Sequence, residues 1–208
     1  GVLFKAIDAN RIIGCIAYPA ATIAEPGGIR HIEGNRFPVG ELDGSDSDRV
    51  RMVSGLLEQA GFTSRVLDDI RSEIWLKLWG NLTFNPISAL THSTLVDICQ
   101  FPLTRELAAA MMTEAQVIGE RLGARFRVPM ERRIAGAEGV GKHKTSMLQD
   151  VEAGKPLEID GMLGVVVELA AITGVEVPTL RALYACASLL NKTIQDERVR
   201  IKAAPLGG

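Results

Sequence analysis

The chain has 208 residues, which is enough for one large domain or two small ones. Hydrophobic residues make up 47% of it and charged residues 23%, a balance typical of a globular protein and not of a disordered chain. The formal net charge of −2 gives no global basic field, so composition argues against nucleic acid as a partner.

The cysteines and histidines are scattered along the chain. The three cysteines are odd in number and lack Cys-x-x-Cys spacing, which predicts reduced thiols in a cytoplasmic protein. The three histidines have no metal-ligand spacing, and we expect no metal site. No apolar run approaches the ~20 residues of a transmembrane helix, so we expect no membrane partner. The residues concerned are Cys15, Cys99, Cys186, His31, His92 and His143.

Residues 1–68 are predicted to form short strands and one helix. The helix begins near Asp48 with Ser45 or Ser47 as its N-cap, and Gly61 suits its end. A hairpin is predicted around Gly34-Asn35, between strands at 29–33 and 36–39. The other predicted strands are 11–17, 20–24 and 64–67.

From residue 69 onward the sequence predicts one helix after another. Proline stands just before several of them, where it is tolerated, and Gly123 and Gly174 stand at expected helix ends. The change from strands to helices predicts a domain boundary between residues 68 and 69. The predicted helices are 69–85, 103–122, 130–136, 157–173 and 179–201.

The most informative stretch is 73–90, where three polar residues stand four apart. Lys77, Asn81 and Asn85 lie on one side of a helix and are surrounded by bulky apolar residues. Pro86 is expected to end or kink this helix just after Asn85. Two interpretations of the polar line stay open: the wall of a buried polar cleft, or a core helix with a snorkelling lysine and two surface asparagines.

Two further motifs each allow a functional interpretation and an ordinary structural one. Gly136 to Lys142 copies the first part of a phosphate-binding loop, but His143 replaces the required Ser or Thr. We therefore interpret it as a glycine loop between helices. The only local basic cluster is Arg125, Arg127, Arg132 and Arg133, with Lys142 and Lys144 after it. Such a cluster is either a solvated face or an attraction for an anionic substrate or a cofactor phosphate.

The lysine stretch also resembles a known family. Its pattern, Trp-x-Lys-x-x-x-Asn-x-x-x-Asn-Pro-x-Ser-Ala-Leu, is similar to the lysine helix of the ketopantoate reductases (2-dehydropantoate 2-reductases). Downstream, Thr145-Ser-Met-Leu-Gln-Asp150 and Glu158-Ile-Asp160 resemble that family's Ser-Met-x-x-Asp and Glu-Ile-Asp blocks, in the expected order.

The resemblance implies a fold and a cofactor. It predicts an α/β part followed by an all-α part: residues 1–68 as the second half of a Rossmann-like NADP-binding domain, and residues 69–208 as a helical domain that carries catalysis. The glycine-rich Gly-x-Gly-x-x-Gly turn of such a domain is not among these residues, and we expect it upstream of Gly1. Without it, we expect this chain alone to bind NADPH weakly and to be inactive.

The resemblance also implies residue roles. Lys77 is the catalytic proton donor, Asn81, Asn85 and Ser146 bind the substrate, and Glu158 binds the cofactor. Spacing alone allows Ser146 to be an N-cap and Glu158 to complement a helix dipole. The implied reaction is NADPH-dependent reduction of 2-dehydropantoate to pantoate in pantothenate (coenzyme A) biosynthesis.

Two alternatives stay open at this point. Leu95 stands where some family members have a polar residue, so a related NADP-dependent 2-hydroxy-acid dehydrogenase is a competing interpretation. From another class, the chain can be a helical dimerisation or interaction module without activity, and a homodimer through the helical domain is expected in either case.

Overall fold

The computed structural model describes residues 5–204, which fall into two compact units that divide between Ile74 and Trp75. The first unit holds the described strands, and the second is helical. The longest helix among these residues, Ile70–Thr91, includes both Ile74 and Trp75. Within residues 5–204, no helix is long and apolar enough to span a membrane.

The first unit contains two antiparallel strand pairs in its described part. Strands β1 (Ile13–Cys15) and β4 (Val39–Glu41) form one, with Gly14 opposite Gly40. Strands β2 (Ala20–Glu25) and β3 (Gly28–Glu33) form the other, a hairpin that turns at Pro26-Gly27. The predicted hairpin around Gly34-Asn35 is therefore wrong. The strand that follows Gly34 leaves the hairpin and pairs with β1, because Val39 is fully buried there.

A β-α-β arrangement follows in the same unit. Helix α1 (Asp48–Gln59) connects β4 to an extended segment at 63–67, which runs parallel to β4. Val39 donates to the carbonyl of Arg65 at 3.0 Å, and Leu67 donates to the carbonyl of Val39 at 2.8 Å. The Ser47 hydroxyl accepts from the Val50 amide at 3.2 Å, which confirms Ser47 as the N-cap of α1. Parallel strands joined by a helix are the building unit of dinucleotide-binding domains.

The second unit packs its helices around one apolar core. Trp79, Leu82 and Ile87 from the long helix are buried against Met111, Met112 and Ile118 of another helix. The helices are α2 (Ile70–Thr91), α3 (Leu95–Gln100), α4 (Pro102–Arg121), α5 (Met130–Gly139), α6 (Ser146–Ala153), α7 (Val165–Thr173) and α8 (Pro178–Glu197). A π-helical turn, Asp160–Gly164, leads into α7.

Several predicted boundaries in this unit need correction. Helix α2 continues through Pro86 to Thr91 instead of ending at Asn85, since Ile87 and Ala89 beyond the proline are buried. The expected glycine loop begins late, because Gly136 and Gly139 belong to α5. Helix α8 ends at Glu197, where Arg198 takes a left-handed conformation with φ of 53°.

Candidate functional site

Helix α2 carries the polar line of Lys77, Asn81 and Asn85, and contacts with other elements fix the helix at several points. The Asp69 carboxylate accepts from the Ser72 amide at 3.1 Å, as an N-cap does. The Trp79 indole donates to the buried carbonyl of Met112 at 2.7 Å, and its ring meets Phe126 edge to face at 4.8 Å. The face of α2 that carries Trp79 is therefore held in the core, which fixes the rotation of the helix about its axis.

The three polar residues of the line differ in burial. Lys77 and Asn81 are half-buried, whereas Asn85 is buried. Burial lowers the pKa of the Lys77 ammonium below its usual range, because removal from water disfavours the charged form. A lysine with a lowered pKa gives up its proton more readily, as a general acid working near neutral pH requires.

Asn85, the buried residue of the polar line, contacts the π-helical turn Asp160–Gly164. The Asn85 amide nitrogen lies 4.0 Å from the sulfur of Met162, in the first turn after Glu158. The π-helical turn is further fixed by Tyr184, whose hydroxyl donates to the Asp160 carboxylate at 2.7 Å. This hydrogen bond raises the pKa of the Tyr184 hydroxyl and gives Asp160 a supporting role. Short π-helical segments inside α-helices occur frequently at functional sites.

Ser146 opens helix α6. The N-cap is Thr145, whose hydroxyl accepts from the Leu148 amide at 3.3 Å, so the capping interpretation of Ser146 is wrong. Ser146 occupies the first helical position and is exposed. An exposed hydroxyl at the positive end of a helix dipole suits an anionic group.

Glu158 lies close to the same helix. It is exposed, just before the π-helical turn, and its charge helps to raise the pKa of Asp150, after the larger effect of burial on that carboxyl. Asp150 stands one turn after Ser146 on α6. The Ser146 helix and the Glu158 segment are thus neighbours, and the Glu158 segment in turn leads to Met162 and Asn85. Convergence of Lys77, Ser146 and Glu158 on one cleft stays a prediction.

Two further features, one in each unit, lie outside the sequence predictions. The Arg133 guanidinium lies directly against Gly80 of helix α2, between Lys77 and Asn81 in sequence. In the first unit, a cavity of about 300 Å³ is lined by Arg36, Arg65 and Glu73, among others. The only sequence signal for the first contact is a glycine inside a strongly helical stretch.

The arrangement shows no sign of a metal centre. Over residues 5–204, no group of three or more histidine, cysteine, aspartate or glutamate side chains is placed to hold a metal ion. The candidate side chains of this region are those of Lys77, Asn81, Asn85, Ser146 and Glu158.

Comparisons with known proteins match this region. Residues 69–191 match the family model described as the C-terminal part of ketopantoate reductase PanE/ApbA. A 2-dehydropantoate 2-reductase from Mesorhizobium japonicum is 52% identical over 185 residues, which are 89% of this chain and 57% of that protein. One from Archaeoglobus fulgidus is 29% identical over 174 residues, 84% of this chain and 59% of that protein. The chain thus spans somewhat more than half the length of these relatives.

Solved structures agree on the fold. A 2-dehydropantoate 2-reductase from Methylococcus capsulatus superposes with a TM-score of 0.82 at 29% identity, over 93% of this chain and 66% of that one. A D-mandelate dehydrogenase solved with NADH gives a TM-score of 0.84 at 18% identity, over 93% of this chain and 66% of that one, and shows the fold alone. These matches confirm the predicted fold class, part of a Rossmann-type domain followed by a helical domain.

Proposed function

Because this chain belongs to the ketopantoate reductase family, we propose that the full-length protein reduces 2-dehydropantoate to pantoate with NADPH in the cytoplasm, within pantothenate biosynthesis. The observation that carries this proposal is the half-buried Lys77, whose pKa is lowered by burial and which stands in line with Asn81 and Asn85. A keto-acid reductase needs a proton donor of this kind beside groups that orient a carbonyl.

Lys77 is the general acid in this mechanism. Reduction of the keto carbon turns the carbonyl oxygen into an alkoxide, and the Lys77 Nζ transfers a proton to that oxygen. Its partial burial both makes the ammonium more acidic and strengthens its attraction for the developing negative charge. Arginine in its place would stabilise the charge but would not release a proton.

Asn81, Asn85 and Ser146 bind and orient the substrate. The asparagine amides each offer donors and an acceptor, which suits the carbonyl and hydroxyl groups of 2-dehydropantoate. The contact of Asn85 with Met162 holds its amide toward the π-helical turn. Ser146, exposed at the start of α6, donates its hydroxyl to the substrate carboxylate.

The cofactor supplies a hydride when it is bound. Glu158 is the residue of this chain that would hold it, through hydrogen bonds from the carboxamide or ribose hydroxyls to the exposed carboxylate. This role suits the carboxylate, because an ionised carboxylate only accepts hydrogen bonds and those cofactor groups can each donate one.

The helical unit also supports a homodimer. Ile172 of α7 is 71% exposed and Leu189 of α8 is 65% exposed, and Ala182, Ala185 and Cys186 are exposed on the Leu189 side of α8. The four exposed residues of α8 recur at helical spacing, which is the pattern of a helix face that packs against a partner. The oligomeric state of the purified full-length protein, measured by light scattering, tests this part of the proposal.

The enzymatic proposal is tested by turnover. Full-length protein is mixed with NADPH and 2-dehydropantoate, and the loss of NADPH absorbance is followed. The assay is repeated with NADH as the cofactor, and again with benzoylformate, the keto acid of mandelate, as the substrate. We expect the highest kcat/KM with NADPH and 2-dehydropantoate. Absence of turnover with every pair would refute a reductase, and preference for benzoylformate would move the assignment to a related 2-hydroxy-acid dehydrogenase.

A further inference from the structure

Arg133 of helix α5 has its guanidinium group on the surface of α2 at Gly80. A Cβ atom added to Gly80 would lie 3.0 Å from the Cζ of Arg133 and 3.2 Å from its Nε, with a terminal nitrogen closer still. Real Cβ atoms are rarely this close to other heavy atoms. Any other residue at position 80 would therefore push the guanidinium away.

This contact explains a glycine that helix α2 would otherwise avoid. Position 80 is the middle of a 22-residue helix, where glycine is less favourable than alanine. Gly136 of α5 is also helical, but a Cβ there would meet open space. The two glycines therefore differ in what an added methyl group would displace.

The position of Gly80 places the guanidinium on the side of α2 that neighbours Lys77. Residue 80 is three positions after Lys77, so it lies within about 60° of the lysine around the helix axis, on the side away from Asn81 and Asn85. Arg133 is half-buried, whereas its neighbour Arg132 is exposed. Of these two adjacent arginines, Arg133 is thus held against α2 near Lys77, whereas Arg132 is exposed to solvent.

We propose that Arg133, seated on Gly80, determines specificity for substrates with a free carboxylate. This inference rests on the proposed reductase function and adds a residue to the same site. A half-buried guanidinium acts through a lower dielectric than a surface one, and it carries five donors that match a carboxylate. It therefore favours a 2-keto acid over an uncharged analogue of the same shape.

The first test compares two adjacent arginines in the full-length protein. Arg133→Gln and Arg132→Gln remove the same charge from the same helix, and kcat/KM is measured for 2-dehydropantoate and for its uncharged primary amide. We expect Arg133→Gln to lower kcat/KM for the acid about tenfold or more, as for a lost hydrogen bond to a charged group, and to leave the amide nearly unchanged. Arg132→Gln should change neither. Equal effects of both variants, or an equal loss for acid and amide, would overturn the inference.

The second test moves the guanidinium without removing it. Gly80→Ala should reproduce the selective loss of Arg133→Gln, and the double variant should be no worse than either single one, because both changes remove the same contact. Gly136→Ala is the matched control and should keep parental kinetics. The thermal midpoint of Gly80→Ala should not fall, since the arginine tip can move and alanine favours the helix. Parental kinetics for Gly80→Ala, or additive losses in the double variant, would contradict the proposal.

A binding measurement separates this inference from the reductase proposal. Calorimetric titration with pantoate needs no turnover and should show the same loss of affinity in Arg133→Gln but not in Arg132→Gln. A parent protein without turnover overturns the reductase proposal, whereas an active parent with equal pantoate affinity in both variants overturns only the role of Arg133.

Discussion

Replacement of Lys77 by alanine is the most direct test of the proposed chemistry. General acid catalysis contributes about 10²–10⁴ to a rate, which corresponds to about 3–5 kcal/mol of transition-state stabilisation. We expect kcat of Lys77→Ala to fall by that factor in the full-length protein, with a rise in KM because the ammonium also contacts the bound substrate. Single-turnover measurements of NADPH oxidation separate the chemical step from product release.

The pH dependence gives a second, independent result for Lys77. The protonated lysine is the active form, so kcat falls as pH rises through its pKa. Because burial lowers that pKa, the fall should begin at a lower pH than an ordinary lysine would give, and it should vanish in Lys77→Ala. Lys192, exposed on α8 and paired with Asp196, is the matched control, and Lys192→Ala should keep the parental profile. If Lys77→Ala turns over within a few-fold of the parent, the lysine is structural and the mechanism is wrong.

Three further predictions concern single contacts. Ser146→Ala should raise KM for the keto acid by the equivalent of about 1.5–3 kcal/mol while NADPH affinity is kept, and an unchanged KM with a lower thermal midpoint would make the serine structural. Glu158→Gln should weaken NADPH binding measured by fluorescence titration, with little change in pantoate binding; equal affinity for NADPH would remove Glu158 from the cofactor site. Trp79→Phe leaves the buried Met112 carbonyl without the indole donor and should destabilise the fold by about 1–3 kcal/mol in urea unfolding, and an unchanged midpoint would show that another donor replaces it.

The helices of the second unit were well predicted from the sequence, because the residues that begin and end them act locally. Gly123 and Gly174 have φ values of 87° and 67°, as the predicted helix ends require. The prediction that the helix ends at Asn85, just before Pro86, failed for a tertiary reason. The residues after the proline are buried, and their packing outweighs the hydrogen bond that proline removes.

The strand region and the Arg133 contact were harder to predict for different reasons. Most residues of β2 and β3 are exposed, with Ile23 78% exposed, so no buried face fixed the register in the sequence pattern. Gly80 and Arg133 are 53 residues apart, and only the packing of α5 against α2 brings them together. Their relation cannot be derived from local spacing.

The π-helical turn at Asp160–Gly164 has a consequence for how this region tolerates insertions and deletions. A π turn contains one more residue than an α turn would need, so removing one residue between Asp160 and Gly164 would leave a regular α-helix. Because each residue of an α-helix advances about 100° around the axis, that deletion would swing Glu158 to a different side while Val166 stayed in the core. A protein shortened by this one residue would therefore keep the helix, but the side chain of Glu158 would point in a different direction.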